Sequence, residues 1–217
     1  HPVAHSFPTR RSADLNTESS EFTMSVFSNR KTESNEFTIK AGGYYASSDD
    51  EMTARRYDGM VRYAFSFGEA LKWYNFYKIL AEQDRFSNID YRLTPSLGIG
   101  YWFSDQEDWK AMCEVGAGYE YTNYRNNEKS SEEIVFVPRV YLERKLWGNS
   151  FISENFEIYP ALGDMSDYRL RSETAFVNPI NGYLSLKISL IDEYNNKPSK
   201  GTEKNDLRLV SSLVYSF

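Results

Sequence analysis

From residue 20 onward the chain keeps returning to one pattern, an alternation of apolar and polar side chains. It comes in runs of roughly ten to fifteen residues, the length and period of extended strands. Successive side chains of an extended backbone leave opposite faces, so a period of two residues marks a strand. The clearest run covers 183–191, where Leu184, Leu186, Ile188 and Leu190 share one face and Ser185, Lys187 and Ser189 the other. Between 92 and 103, Leu93, Pro95, Leu97, Ile99, Tyr101 and Phe103 oppose Arg92, Thr94, Ser96, Gly98, Gly100 and Trp102. Between 109 and 122, Val115, Ala117, Tyr119 and Tyr121 oppose Lys110, Glu114, Gly116, Gly118 and Glu120.

Read this way, the sequence predicts an all-β, antiparallel up-and-down barrel. Its strands are expected near 20–29, 36–46, 54–66, 70–83, 91–103, 109–122, 133–146, 150–161, 167–177, 182–194 and 206–217. No helix, linker or second domain is expected. Polar loops at 47–52, 84–90, 123–132 and 195–205 alternate with tight turns at 67–69, 104–108, 147–149 and 178–182, and 163–166 falls on the loop side. Long loops at one end and short turns at the other are the habit of transmembrane barrels. Barrels of this kind have an even strand number with both chain ends on the periplasmic side. Eleven visible strands therefore imply a twelfth, expected before residue 20.

Residues 1–15, HPVAHSFPTRRSADL, lack the apolar centre of a secretory signal peptide. They read as a non-native, adapter-like segment, with a disordered natural terminus as the alternative. The barrel domain is accordingly set at 16–217. The gene is expected to be truncated at its 5′ end, having lost a strand and a signal peptide.

No run approaches the roughly 18 apolar residues of a membrane-spanning helix. Mean hydropathy is −0.61, which a barrel tolerates because only one face of each strand meets lipid. Alternation by itself fits a soluble lipocalin-like barrel that binds a small ligand equally well, with the apolar face turned inward. Three features favour the inverted arrangement. The chain ends in strand phase on aromatic residues, Leu213, Tyr215 and Phe217, resembling the signal read by the outer-membrane assembly machinery. Aromatics gather near strand ends on the apolar face: Tyr63, Phe65, Phe67, Trp73, Tyr101, Phe103, Trp109, Tyr119 and Tyr121. The polar face mixes both charges with Gly98, Gly100, Gly116 and Gly118, which leave space for long side chains. Its charged members are Arg56, Asp58, Arg62, Lys78, Glu82, Arg92, Lys110, Glu114, Glu120, Arg139, Glu143, Lys145, Glu157, Arg169, Arg171, Glu173, Lys187 and Arg208. These are expected to line a lumen. Pro95, Pro138 and Pro160 fall inside strands and predict bulges or strand ends. Glu154 falls in the apolar phase of its strand.

These stretches resemble the domain of unknown function 481 family, the YdiY-like salt-induced outer-membrane proteins. The likeness rests on Thr53-Ala54-Arg55-Arg56-Tyr57, on Asp90-Tyr91-Arg92-Leu93 running into Gly98-Ile99-Gly100-Tyr101, and on Asp192-Glu193-Tyr194-Asn195-Asn196-Lys197-Pro198. Asp206 and the ending Leu213-Val214-Tyr215-Ser216-Phe217 complete it. The resemblance implies a porin-like barrel of a Gram-negative outer membrane, with no settled biochemical role and no catalytic residues to carry over.

The chemistry available is limited. Both histidines, His1 and His5, lie in the excluded segment, which removes the usual general base near neutral pH. Cys113 stands alone, so neither a disulfide nor a cysteine metal site is expected. The net charge of −6 and the lack of a basic run argue against nucleic acid. The expectation is a non-enzymatic protein without cofactor or metal, either a structural, envelope-stress-related barrel or a narrow pore. Its expected partners are outer-membrane lipids, lipopolysaccharide and the assembly machinery.

Overall fold

The computed structural model describes residues 3–6, 9–14, 17–48, 51–68, 70–125, 128–199 and 201–215. Its strands are β1 (Val3–Ser6), β2 (Thr9–Asp14), β3 (Thr17–Lys31), β4 (Asn35–Ser48), β5 (Glu51–Phe67), β6 (Trp73–Asp84) and β7 (Ile89–Asp105). They continue as β8 (Trp109–Tyr124), β9 (Ser131–Phe136), β10 (Arg139–Lys145), β11 (Phe151–Ala161), β12 (Asp164–Pro179), β13 (Leu184–Asn195) and β14 (Asn205–Tyr215). All belong to one antiparallel sheet in sequential order. β1 and β2 lie along successive parts of β3 and form a single interrupted strand. β9 and β10 are likewise one strand, sharing β8 and β11 as neighbours. Twelve strand positions result, and β1 lies beside β14 to close the barrel.

The eleven strands expected from alternation are all present. Residues 3–6 and 9–14, expected to lie outside the fold, instead occupy the twelfth position as β1 and β2. The physical reason is the edge of β3, whose amide and carbonyl groups need partners that an extended segment can supply. Phe217 lies outside the described residues, and β14 ends at Tyr215.

The proposed difference between the two ends of the barrel is smaller than expected. The connections after β4 and β11 each span two residues, and those after β6, β8 and β13 span 85–88, 125–130 and 196–204. At the other end the turns cover 32–34, 68–72, 106–108, 146–150 and 180–183. Residues read as loop, such as Ser47, Ser48, Glu51 and Met52, in fact continue their hairpin, since backbone pairing needs no apolar face. Only the connection after β13 is distinctly longer than the turns, and that after β8 exceeds the longest of them by one residue. These two ends are called the loop end and the turn end below.

Two prolines behave as expected. Pro138 sits in the gap between β9 and β10, and Pro160 adjoins a register shift at Ala161. Pro95 remains paired with Ile79 of β6, while the register with β8 passes directly from Leu93 to Ser96. The missing donor thus faces a ladder that is already interrupted.

The outward face carries the apolar phase. Leu97, at the middle of β7, is 60% exposed. Val61, Ile79, Val115 and Leu190 are also exposed. Aromatic side chains bracket this band. Near the turn end Trp73 packs on Tyr101 and Tyr101 on Phe103, with centroids 4.8 and 5.1 Å apart. Near the loop end Tyr91 stacks on Tyr121 at 5.7 Å and Tyr168 lies 5.8 Å from Tyr194. Glu154 does face outward, as its phase requires. Its carboxylate accepts hydrogen bonds from the hydroxyls of Ser172 (2.6 Å) and Thr174 (2.5 Å) on the outward face of β12.

Candidate functional site: a charged and unevenly filled lumen

The inward face is lined with ionisable side chains joined into two networks. Nearer the turn end, Arg62 of β5 reaches Glu36 of β4 (3.5 Å) and Glu114 of β8 (2.6 Å). Glu114 also meets Arg139 of β10 (3.2 Å), Arg139 meets Glu157 of β11 (3.2 Å), and Glu157 meets Lys78 of β6 (3.0 Å). Nearer the loop end, Glu120 of β8 binds Arg92 of β7 (3.3 Å) and Arg169 of β12 (2.6 Å). Arg169 continues to Glu82 of β6 (3.2 Å), which also binds Arg56 of β5 (3.0 Å). Arg56 crosses to Glu193 of β13, which is bound in turn by Arg171 (2.6 Å) and Arg208. Unpaired charges out of water are strongly disfavoured, so each carboxylate within the barrel requires cations.

Several of these pairs join strands that are not neighbours. Lys78 and Glu157 stand on β6 and β11, and Arg56 and Glu193 on β5 and β13. They bring distant walls of the barrel together.

On one side the space beneath them is filled. Tyr74, Phe76, Ala64 and Met112 form a buried cluster with Trp102 and Tyr141 against it, and Val135, Val137 and Tyr159 form another. Glycine makes this packing possible. A Cβ on Gly100 would lie 2.2 Å from the Tyr74 ring, and one on Gly98 would lie 2.8 Å from the Phe76 ring. The glycines therefore accommodate aromatic rings as well as the long charged chains expected from sequence. The Tyr74 hydroxyl donates to Glu114 at 2.9 Å, and Arg62 lies over the Tyr74 and Phe76 rings. Arg169 covers Tyr159 at 4.1 Å.

The opposite side, formed by β3, β4 and β12 to β14, is less filled. Glu114 exposes 2% of its side chain, whereas Arg171 exposes 29% and Lys187 31%. Lys187 binds Glu173 (2.7 Å), which also accepts from Ser189 (3.1 Å). Lys40 of β4 faces this space and is exposed there. At the turn end a pocket of about 310 Å³ is walled by Lys31, Asn35, Glu36, Tyr74, Trp102 and Asp105.

Of the eighteen charged residues expected in the lumen, seventeen lie on its wall. Lys110 binds Glu143 (2.7 Å) close to the turn end, and Asp58 lies over Gly42. Lys145 sits at the rim, bound to Glu107 of the 106–108 turn (2.5 Å). Sequence reasoning missed Glu36, Lys40 and Glu193. All three are in phase: Glu193 follows Lys187, Ser189 and Ile191 on the inward face of β13, but it stands at the edge of a motif-rich loop. Among the described residues no three His, Cys, Asp or Glu side chains converge to hold a metal ion.

The model of the family described as "Protein of unknown function, DUF481" matches residues 13–217. The chain belongs to that family. This DUF481 barrel is also similar to solved structures. A NanC porin structure matches with a TM-score of 0.57 at 11% identity, covering 100% of this chain and 99% of the porin. A structure described as a bacterial polysaccharide outer membrane secretin matches with a TM-score of 0.50 at 10% identity, covering 99% of this chain and 97% of that one. At such identities the likeness concerns the fold, which is that of outer-membrane β-barrels. Comparison with curated proteins finds no match.

Proposed function

We propose that this DUF481 chain spans the bacterial outer membrane and passes small solutes along the less filled side of its lumen. Membrane insertion is supported by the outward apolar band with an aromatic girdle at each edge, which a soluble barrel would have to expose to water. A lipocalin-like binder is disfavoured because its apolar phase faces inward, the reverse of the arrangement here. In this reading lipids and lipopolysaccharide contact the outer face, and the assembly machinery inserts the chain. No catalytic role is proposed, since the lumen carboxylates are held by cations rather than left available for proton transfer.

The observation that carries the transport reading is the uneven filling of the lumen. Around Tyr74 and Glu114 the wall is packed shut, while around Lys40, Arg171 and Lys187 it stays accessible. Twelve strands enclose more space than the eight that side chains fill completely. A second reading, a closed barrel of structural role, is favoured by the loop-end network, which crosses from β7 to β14. Planar-bilayer recording on the refolded chain separates the two. Small, reproducible single-channel steps are expected. A protein that is folded and inserted yet silent at all voltages and salts would leave only the structural role. Fractionation tests location, and the expected result is recovery of the protein in outer membranes with heat-modifiable migration.

A further inference from the structure

Lys40 differs from the other cations of the lumen. Arg56, Arg62, Lys78, Arg139, Arg169 and Lys187 each hold a carboxylate within 3.5 Å. Among the described residues Lys40 holds none. Its place in the sheet explains this, because the residues directly across from it are Phe27 on β3 and Met60 on β5. Neither offers an acceptor, so the ammonium is carried past them toward the lumen. The principal opposite charge it faces is Glu173, which is already engaged by Lys187 at 2.7 Å and by Ser189 at 3.1 Å. Lys187, Arg171 and Arg139 also act electrostatically on Lys40. Lys40 nonetheless remains exposed to the lumen. A cation exposed within a barrel and without a carboxylate of its own is placed to attract an anion from solution.

We infer that Lys40 is the contact point for an anionic solute, and that the passage takes small anions, organic carboxylates among them. This rests on the transport reading above. Arg208, beside the Tyr44 ring (5.3 Å) on the same side of the lumen, is held by Glu193 and leaves Lys40 as the cation without a carboxylate there.

The test is the reversal potential of the refolded chain in planar bilayers under a potassium chloride gradient, repeated with gluconate in place of chloride. Wild type is expected to favour chloride over potassium and to carry gluconate. Lys40→Gln should lower the chloride-to-potassium ratio about five-fold, the effect of one unit charge about 6 Å away in a largely aqueous passage. Lys40→Glu should turn the preference toward potassium, and Lys40→Arg should restore wild-type behaviour. Heat-modifiable migration checks that each variant is folded. Channels whose selectivity is the same in wild type, Lys40→Gln and Lys40→Glu overturn the role of Lys40 and leave the pore standing. A folded wild-type protein that forms no channels overturns the pore and this inference together.

Discussion

Arg62 and Glu114 stand on β5 and β8, with β6 and β7 between them, and their side chains meet inside the barrel at 2.6 Å. Gly98 on β7 and Gly116 on β8 leave the Phe76 ring close to the backbone beneath this contact. Glu114 serves Arg139 and the Tyr74 hydroxyl as well, so three donors share its carboxylate, as three share that of Glu157.

Replacing it should be costly. Glu114→Ala leaves two guanidinium groups short of a carboxylate in a buried setting, and a loss of about 3–5 kcal/mol is expected. Replacing Arg62 and Glu114 together by methionine should cost less than the single change, since one unpaired charge goes as well. Urea unfolding of the micelle-refolded protein measures both, and equal losses in the two variants would contradict the shared-acceptor role.

The outward face offers a direct reading of its solvent. Leu97 lies at the centre of β7 with its side chain exposed. If that face meets lipid, Leu97→Arg should destabilise the folded, inserted protein by about 2–4 kcal/mol, the cost of a cation at the bilayer midplane. If it meets water, the change should be close to neutral. Folding titrations into lipid vesicles decide between them.

Gly100 is expected to tolerate no larger residue while Tyr74 keeps its place. Gly100→Ala sets a methyl group against the ring, and moving that ring breaks its hydrogen bond to Glu114. A loss of about 1–3 kcal/mol is expected for such overpacking. Tyr74→Leu in the same chain should recover part of it. Wild-type thermal stability for Gly100→Ala would show that the ring is free to move.

The Lys145–Glu107 contact predicts a local pH response at the turn end. The hydrogen bond from Lys145 holds the Glu107 carboxyl below its ordinary range. A depressed carboxyl stabilises the fold above its ordinary pKa, and that contribution is lost as pH falls through the lowered value. Both groups are at the surface, so the effect should be small and weakened by salt. Lys145→Gln should move the Glu107 titration, followed by carboxyl carbon NMR, to higher pH. An unchanged midpoint would show that Lys145 does not hold it.

Much of this was legible in the residues. A period of two placed eleven strands and put seventeen of the eighteen expected charges on the inner wall, because alternation is a local property of extended backbone. It could not say which walls face each other. The pairing of Arg56 with Glu193 depends on how the sheet closes and staggers, which no single strand records. The filled and open sides of the lumen were hidden for the same reason, as was the strand position taken by residues 3–6 and 9–14. Lys40 and Glu36 could have been found by carrying the phase of Thr38 along β4. Glu154 was a different difficulty. Its two acceptor contacts come from Ser172 and Thr174 on another strand, and only the register between β11 and β12 brings them together.

The links between non-adjacent strands also have a mechanical consequence. A ring of strands joined only edge to edge behaves like a hinged hoop, stiff along its circumference but easily flattened. Lys78–Glu157 and Arg56–Glu193 act as internal struts on such a hoop. Lateral pressure from a surrounding bilayer would have to break charged contacts before it could change the shape of the cross-section. The struts fix the outline of the barrel, and with it the width of the space they enclose.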